Sequence, residues 1–413
     1  MAKAALLGLG IVGTGVAEIL DKNADKVSAG AGEDIELKYI LEIRPCPDSP
    51  YADKIVKDFT VIENDPEIDA VCECIGGVGV AYDFVKRALL AGKSVITPNK
   101  QMIAEHGLEL LAIAREKGVS LLFEASVGGG IPIIRPLTEC LAANRIEEVY
   151  GILNGTTNYI LTQMIQCNQD FDTALKDAQR LGYAEADPTA DVEGIDACRK
   201  IAILADLCFG KNVAPGEIKT QGITRVTATD AALGQALGYN IKLLGRALRL
   251  GGGARAETPL DNSLGDDEKV AVYVAPHLLP KDKLLSNISG VMNGIVIRGN
   301  AVGECLFYGA GAGRYPTASA VVGDLLDAVR HKNGGKAISW DEGVPGMLAD
   351  ADELPRRWYV RAADGQDKLA QTFHGETAAA DGCAAVVTEE MPLSQVKTLA
   401  RGLTVENIFP VLD

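Results

Sequence analysis

Two ionisable side chains in an otherwise apolar stretch give the first chemical signal. Between Ile195 and Ala205 the only charged residues are Asp196, Arg199 and Lys200. Asp196 and Lys200 stand at i and i+4, on one helical face, with the acid N-terminal to the base. A helix this apolar is expected to be buried on most sides, where charge is costly unless it is paired or lines a cleft. Taken alone, the pair reads as a structural salt bridge. In a cleft, a lysine beside carboxylates and a desolvating wall has an adjustable pKa, which suits it to proton transfer. An acidic, proline-marked loop, YAEADPTADVEG from Tyr183, leads into this helix.

The elements that must position such a site begin at the N-terminus. The apolar run at residues 3–7 reads as a buried strand, and Gly8-Leu9-Gly10-Ile11-Val12-Gly13 follows at once. Val16, Ile19 and Leu20 then recur at helical spacing. G-x-G-x-x-G between a strand and a helix is the dinucleotide fingerprint: the glycines permit a tight turn and close approach of a pyrophosphate, which the helix N-terminus attracts. A second strand over residues 35–41 ends in Glu42-Ile43-Arg44, further past Gly13 than the ~20 residues that are usual. Glu42 could bind a ribose diol and favour NAD. Arg44 could neutralise a 2′-phosphate and favour NADP, so the choice stays open.

Strands and helices go on alternating to about residue 135, which predicts a doubly wound, mostly parallel, Rossmann-type sheet. Ligands in such sheets bind beyond the carboxyl ends of the strands. The Gly8–Gly13 turn, Ile75-Gly76-Gly77, Thr97–Lys100 and Glu124–Gly130 are therefore expected at one crevice, with Lys100 as its cation. Gly128-Gly129-Gly130 implies that something comes close to the backbone there. Freed carbonyls with Glu124 could hold a hard cation.

Beyond residue 135 the pattern is a helix at 132–143, a strand at 147–153, helices at 159–166, 171–182, 191–209 and 229–239, and strand-like runs at 241–249, 270–275, 294–298 and 304–308. This predicts an α+β domain with an open sheet backed by helices over 136–308, with a hairpin tip at Gly251–Glu257. The glycine-rich turn Gly309–Gly313 precedes an apolar helix that is expected to return and complete the first domain over 309–330. Residues 331–356 read as a linker. Residues 357–413 read as a small βαβ-like unit, near the lower size limit for an independent core.

At 413 residues the chain predicts two or three domains. A net charge of −16 without basic runs argues against nucleic acid and anionic membrane as partners. No apolar run approaches the ~20 residues of a membrane span. Nine scattered cysteines and four separated histidines fit reduced thiols in a cytoplasmic protein better than a disulfide framework or a zinc site.

The longer motifs resemble those of homoserine dehydrogenase over about residues 1–330. They are GLGIVGTGV at the start, TPNK from Thr97, EASVGGGIPII from Glu124, NGTTNYIL from Asn154, YAEADPTADVEGIDACRK from Tyr183 and FYGAGAGRYPTASAVVGD from Phe307. The resemblance implies an NAD(P)-dependent oxidoreductase that interconverts L-homoserine and L-aspartate 4-semialdehyde reversibly, in threonine, methionine and isoleucine biosynthesis. It implies Lys200 as general acid/base, Lys100 as a second lysine beside the substrate and nicotinamide, and Glu185, Asp191 and Asp196 as substrate-binding acids. Gly8, Gly10, Ile11, Val12, Gly13, Arg44, Ile75, Gly76, Lys100, Gly311 and Gly313 would contact the cofactor. Glu124 with the carbonyls of Val127, Gly129 and Ile131 resembles the family's sodium site. A homodimer or higher homo-oligomer through the second domain's sheet is implied in the same way. Asp196 and Lys200 are expected to be loosely paired, or apart, in the free enzyme. Both lysines in their motifs argue against a non-enzymatic nucleotide sensor. The C-terminal unit looks like a trimmed ACT domain: Ala363-Asp364-Gly365-Gln366-Asp367 stands where that domain's Asp-x-Pro-Gly loop belongs, which argues against threonine feedback through it.

Overall fold

Six short parallel strands form the first sheet: β1 (Ala2–Leu7), β2 (Ile35–Leu41), β3 (Ile55–Val56), β4 (Ala70–Glu73), β5 (Ser94–Ile96) and β6 (Leu121–Leu122). Their order is β3-β2-β1-β4-β5-β6. Leu6, Leu7, Ile40, Val71 and Val95 are fully buried, as expected for strands covered on both faces. Leu7 pairs with Leu41 on one side and Glu73 on the other. Gly8, Glu42 and Cys74 therefore leave the sheet at one edge, at the point where the strand order reverses.

The computed structural model describes residues 1–251, 264, 268–380 and 382–413. They form two compact units, one of residues 1–145, 203–215 and 309–343, the other of 146–202, 216–308 and 344–413. The expected hairpin tip lies almost wholly outside the described residues. In the first unit the helix Arg314–Arg330 returns to pack on Ile11–Lys22, where a Cβ on Gly15 would stand 2.9 Å from the Cβ of Ala318. The segment expected as a linker is divided between the units. Its first part is anchored by Trp340, buried edge-on to Phe123 with ring centroids 6.0 Å apart and seated over Gly107. The helix expected over 132–143 shrinks to a single π-helical turn, Pro136–Cys140. Pro132 and Pro136 each lack the N–H that a continuous helix would need.

The second unit holds β7 (Ile146–Ile152), β8 (Lys219–Thr220), β9 (Tyr239–Leu250), β10 (Lys269–Pro280), β11 (Met292–Gly299) and β12 (Gly303–Ala310), in the order β12-β11-β7-β9-β10-β8. Gly245 on β9 lets the helix Ile195–Phe209 lie close: its Cβ would meet Ile201 at 3.0 Å and Leu153 at 2.8 Å.

The C-terminal segment is a complete βαββαβ unit rather than a trimmed βαβ. Strands β13 (Trp358–Ala362), β14 (Glu376–Ala380), β15 (Cys383–Val387) and β16 (Val405–Pro410) pair in the order β14-β15-β13-β16, with helices Gln366–Phe373 and Leu393–Leu399. One sheet face packs on these helices through Trp358, Val360, Leu369, Phe373 and Val396. The other is tied to the helix Ala228–Ala236 through buried Asp230. This carboxylate accepts from Arg361 Nε at 2.6 Å, Asn407 Nδ2 at 2.7 Å and Tyr359 OH at 3.1 Å, and from the Thr227 hydroxyl at 2.8 Å. Removing it leaves the buried Arg361 guanidinium with Glu406 as its one remaining carboxylate partner. Asp230→Ala should cost about 3–5 kcal/mol of stability in urea denaturation. A loss below about 1 kcal/mol would show that the dock is held by apolar packing alone.

Candidate active site

The buried charge in the second unit is organised by Asn154. This residue caps the helix Gly155–Gln166, its Oδ1 accepting from the Thr157 N–H at 2.8 Å. Its amide Nδ2 donates to Asp191 Oδ1 at 2.7 Å and to Asp196 Oδ2 at 2.9 Å. Lys200 Nζ donates to the same Asp196 oxygen at 2.8 Å and to the Leu153 carbonyl at 2.7 Å. Asp196 and Lys200 are 6% and 8% exposed, so the ammonium and the carboxylate share one desolvated place. The expected loose pairing is not found: the two are in direct contact. Burial pushes the Asp191 carboxyl pKa up, against the lowering by the Asn154 hydrogen bond, and the Asp196 charge adds to the rise. Two carboxylates, a carbonyl and one ammonium at the head of a helix can bind a second ammonium and exchange a proton with a hydroxyl.

Local backbone explains the convergence. Gly194, at φ +82°, separates the short helix Thr189–Val192 from Ile195–Phe209 and brings Asp191 and Asp196 to one side. Gly222 lies against Val192, whose carbonyl would be 2.1 Å from a Cβ at that position. Glu185 is not brought in: it is exposed on the preceding loop, and among the described residues no hydrogen bond joins its carboxylate to the cluster.

The first unit carries the glycine turn. Gly8 has φ +91°, and a Cβ on Gly13 would stand 2.0 Å from the Gly8 carbonyl oxygen, so both positions require glycine. Gly10 has open space around it. The helix beginning at Ile11 presents its first N–H groups, those of Ile11, Val12 and Gly13, at this turn. Buried Glu42 accepts from the Leu9 N–H at 3.1 Å and from Arg44 Nε and Nη2 at 3.0 and 2.7 Å. The Arg44 hydrogen bonds hold its carboxyl well down, at a pKa of about 2.

Beyond β4, fully buried Glu73 accepts from the Ile75 and Gly76 N–H groups at 2.7 and 2.8 Å and from Thr97 Oγ1 at 2.6 Å. Thr97 Oγ1 accepts from the Asn99 N–H, and Asn99 donates to the Gly77 carbonyl and caps the helix Lys100–Lys117. One carboxylate thus fixes both the 75–77 loop and the turn that carries half-buried Lys100. Ile75 and Gly76, expected to contact a cofactor, direct their N–H groups at Glu73.

The glycine triplet is explained by the chain's own backbone. A Cβ on Gly129 would lie 2.2 Å from the Gly311 oxygen, and the Gly130 N–H donates to the Ala310 carbonyl at 3.0 Å. Gly313, at φ +123°, opens the helix Arg314–Arg330. Glu124 is occupied as an anchor: Oε1 accepts from the Ile133 and Ile134 N–H groups at 2.5 and 2.7 Å, and Oε2 from that of Arg135 at 2.7 Å. Val127 and Ile131 are buried in the same turn. Asp324 accepts from the Glu124 N–H at 2.8 Å and from Arg135 at 2.7 Å, and burial pushes its carboxyl pKa up to about 7. Sequence reading missed Asn154, Glu73 and Asn99 as organisers. Only the capping positions of the two asparagines carried a signal.

The doubly wound sheet with its glycine turn, and the buried lysine–carboxylate cluster, define a nucleotide-dependent oxidoreductase. Residues 8–124 match the model of the homoserine dehydrogenase NAD-binding domain, and residues 132–326 that of homoserine dehydrogenase. The homoserine dehydrogenase of Pseudomonas aeruginosa is 46% identical over 329 residues, which cover 79% of this chain and 72% of that protein. The crystal structure of a homoserine dehydrogenase from Thiobacillus denitrificans matches with a TM-score of 0.85 at 36% identity, over 100% of this chain and 98% of that one. A hyperthermophilic archaeal homoserine dehydrogenase in complex with NADPH matches at 0.64 and 26% identity, over 79% and 97% of the two chains. The chain belongs to the homoserine dehydrogenase family, oxidoreductases acting on a CH–OH group. Among the described residues no helix is long and apolar enough to cross a membrane.

The Glu42–Arg44 pair gives a pH-dependent prediction. Its folded pKa of about 2 lies below the ordinary 4.5, so its stabilisation is fully present above about pH 4.5 and is lost as pH falls through about 2. The stability difference between the wild type and Glu42→Gln should therefore be constant near neutrality and shrink below about pH 4.5. An equal difference at about pH 3 and at neutrality would contradict the shift.

Proposed function

We propose that the protein interconverts L-homoserine and L-aspartate 4-semialdehyde reversibly, supplying the common precursor of threonine, methionine and isoleucine. The observation that carries this reading is the Asn154–Asp191–Asp196–Lys200 cluster. Asp191 and Asp196 offer the acceptors that an α-ammonium needs, with Glu185 reaching in from its exposed loop once substrate is present. In the oxidising direction Lys200, as the neutral amine, takes the hydroxyl proton while the hydride leaves for the nicotinamide. In the reverse direction its ammonium protonates the forming alkoxide and stabilises its charge. The Leu153 carbonyl and Asp196 keep Nζ oriented through both directions. Lys100, fixed by the Glu73–Thr97–Asn99 ring, is the second cation of the reaction.

The nicotinamide, when bound, accepts or returns the hydride. The residues fit such a group: Gly10 leaves the turn open, and the N–H groups of Ile11, Val12 and Gly13 suit a pyrophosphate. Gly311 and Gly313 approach it from the returning segment. Arg44 neutralises Glu42, the carboxylate that would repel a 2′-phosphate, which supports NADP as well as NAD. A sodium ion fits the carbonyls of Val127, Gly129 and Ile131 beside Glu124, whose Oε2 accepts a single hydrogen bond within this turn. The working form is a homodimer through the second sheet, supported by the exposed apolar side chains of Val302 and Tyr308 at its β12 edge.

Lys200→Met removes the proton carrier and leaves the glycine turn intact. Turnover of homoserine should fall by about 10²–10⁴, with the reduced cofactor still binding, as read by its fluorescence, at wild-type affinity. Turnover within about tenfold of the wild type would remove Lys200 from its role.

A further inference from the structure

Away from all of these residues, the second unit encloses a cavity of about 350 Å³ between its large sheet and its βαββαβ segment. That is at the small end of ligand pockets, which run from about 300 to 1,000 Å³. Arg356, immediately ahead of β13, forms part of its wall and is only 8% exposed. Its guanidinium carbon lies 4.7 Å from the Tyr273 ring centroid and 5.0 Å from that of Trp358, so aromatic faces hold it in place. Nη2 is buried and has no hydrogen-bond partner. Burial pushes the guanidinium pKa down and the nearby Arg246 charge adds to this, against the raising effects of the Tyr273 hydroxyl and of the Asp350 charge.

The rest of the wall does not supply the missing negative charge. Asp352 is paired with Lys219, and Glu406 with Arg361. Arg225 and Lys397 line the same cavity, and among the described residues neither they nor Arg356 forms an ion pair with a carboxylate. Three cations without an ion-pair partner among the described residues therefore meet at one cavity of a chain whose net charge is −16. An unsatisfied buried donor costs about 1–3 kcal/mol, and more when it is charged. Such a cost persists where a ligand or an ordered water relieves it.

We propose that this cavity binds a small organic oxyanion, a carboxylate or a phosphate monoester, whose oxygens accept from Arg356 Nη2 and are neutralised by Arg225 and Lys397 at the rim. The planar fork of arginine suits both oxyanions. Tyr273 and Trp358 keep the fork in place, so little order is lost when an anion arrives.

The test is calorimetric titration of the full-length protein with inorganic phosphate and, separately, with acetate. Ionic strength is held constant with chloride, and nicotinamide cofactor is saturating so that the glycine turn is filled. Saturable binding of at least one probe is expected. Arg356→Met, which keeps the stacked volume and removes the charge, should weaken it at least about tenfold. Arg225→Ala with Lys397→Ala, both at exposed positions, should weaken it in the same direction and serves if Arg356→Met does not fold. The probe that saturates identifies the oxyanion as phosphate or carboxylate. Absence of saturable binding, or equal binding by wild type and variants, would overturn the proposal and assign Nη2 to an ordered water.

Discussion

A lysine ammonium taken out of water must be met by hydrogen-bond acceptors and a counter-charge, or it deprotonates or destabilises the fold. Lys200 meets this demand with the Leu153 carbonyl and the Asp196 carboxylate. That carboxylate is itself buried, and leans on the Asn154 amide, which reaches Asp191 as well. Asp196 is therefore shared between the lysine and the asparagine, and Asp191 is joined to Lys200 only at one remove, through Asn154. Much of the second unit follows from this. Gly245 lets the helix come down on β9, Gly194 turns the acidic loop into it, and Gly222 lets the loop after β8 close against Val192. At each of the three a side chain would crowd the neighbouring chain: Leu153 and Ile201 at Gly245, Thr220 and Val274 at Gly194, and Val192 and Glu193 at Gly222.

The first unit answers a similar demand with one anion and no cation. Glu73 is fully buried and is satisfied by two N–H groups and a hydroxyl. Its charge is spent on holding two loops in fixed conformations, including the turn that carries Lys100. Glu124 does the same for the segment after the glycine triplet. Buried carboxylates here act as anchors of backbone, and precision at the crevice is inherited from them.

Much of this was legible in the sequence. The glycine turn declares itself because Gly8 and Gly13 are sterically obligatory and stand between a strand and a helix. Asp196 and Lys200 are conspicuous because they interrupt an apolar helix. Asn154, Glu73 and Asn99 were not recognised, since a polar residue at a strand end or helix cap has the same local signature whether or not it reaches a distant partner. The glycine triplet was read correctly as a close approach, but the approaching group is the chain's own Gly311. Strand β14 was missed because Glu376–Ala380 is mostly alanine, which has little strand propensity. Trp340 turned an apparent linker into packed structure, an outcome that polar flanking residues conceal.

The central claim is that one buried cluster both orients the proton-transferring lysine and recognises the substrate's ammonium. It is tested most directly by the ratio of kcat/KM for homoserine to that for 4-hydroxybutyrate, the same alcohol without the ammonium, in the wild type and in Asp191→Asn. The account predicts a large ratio in the wild type that collapses by at least about tenfold in the variant, with turnover of 4-hydroxybutyrate little changed. A ratio that survives the substitution would show that the ammonium is recognised elsewhere, and would contradict the account.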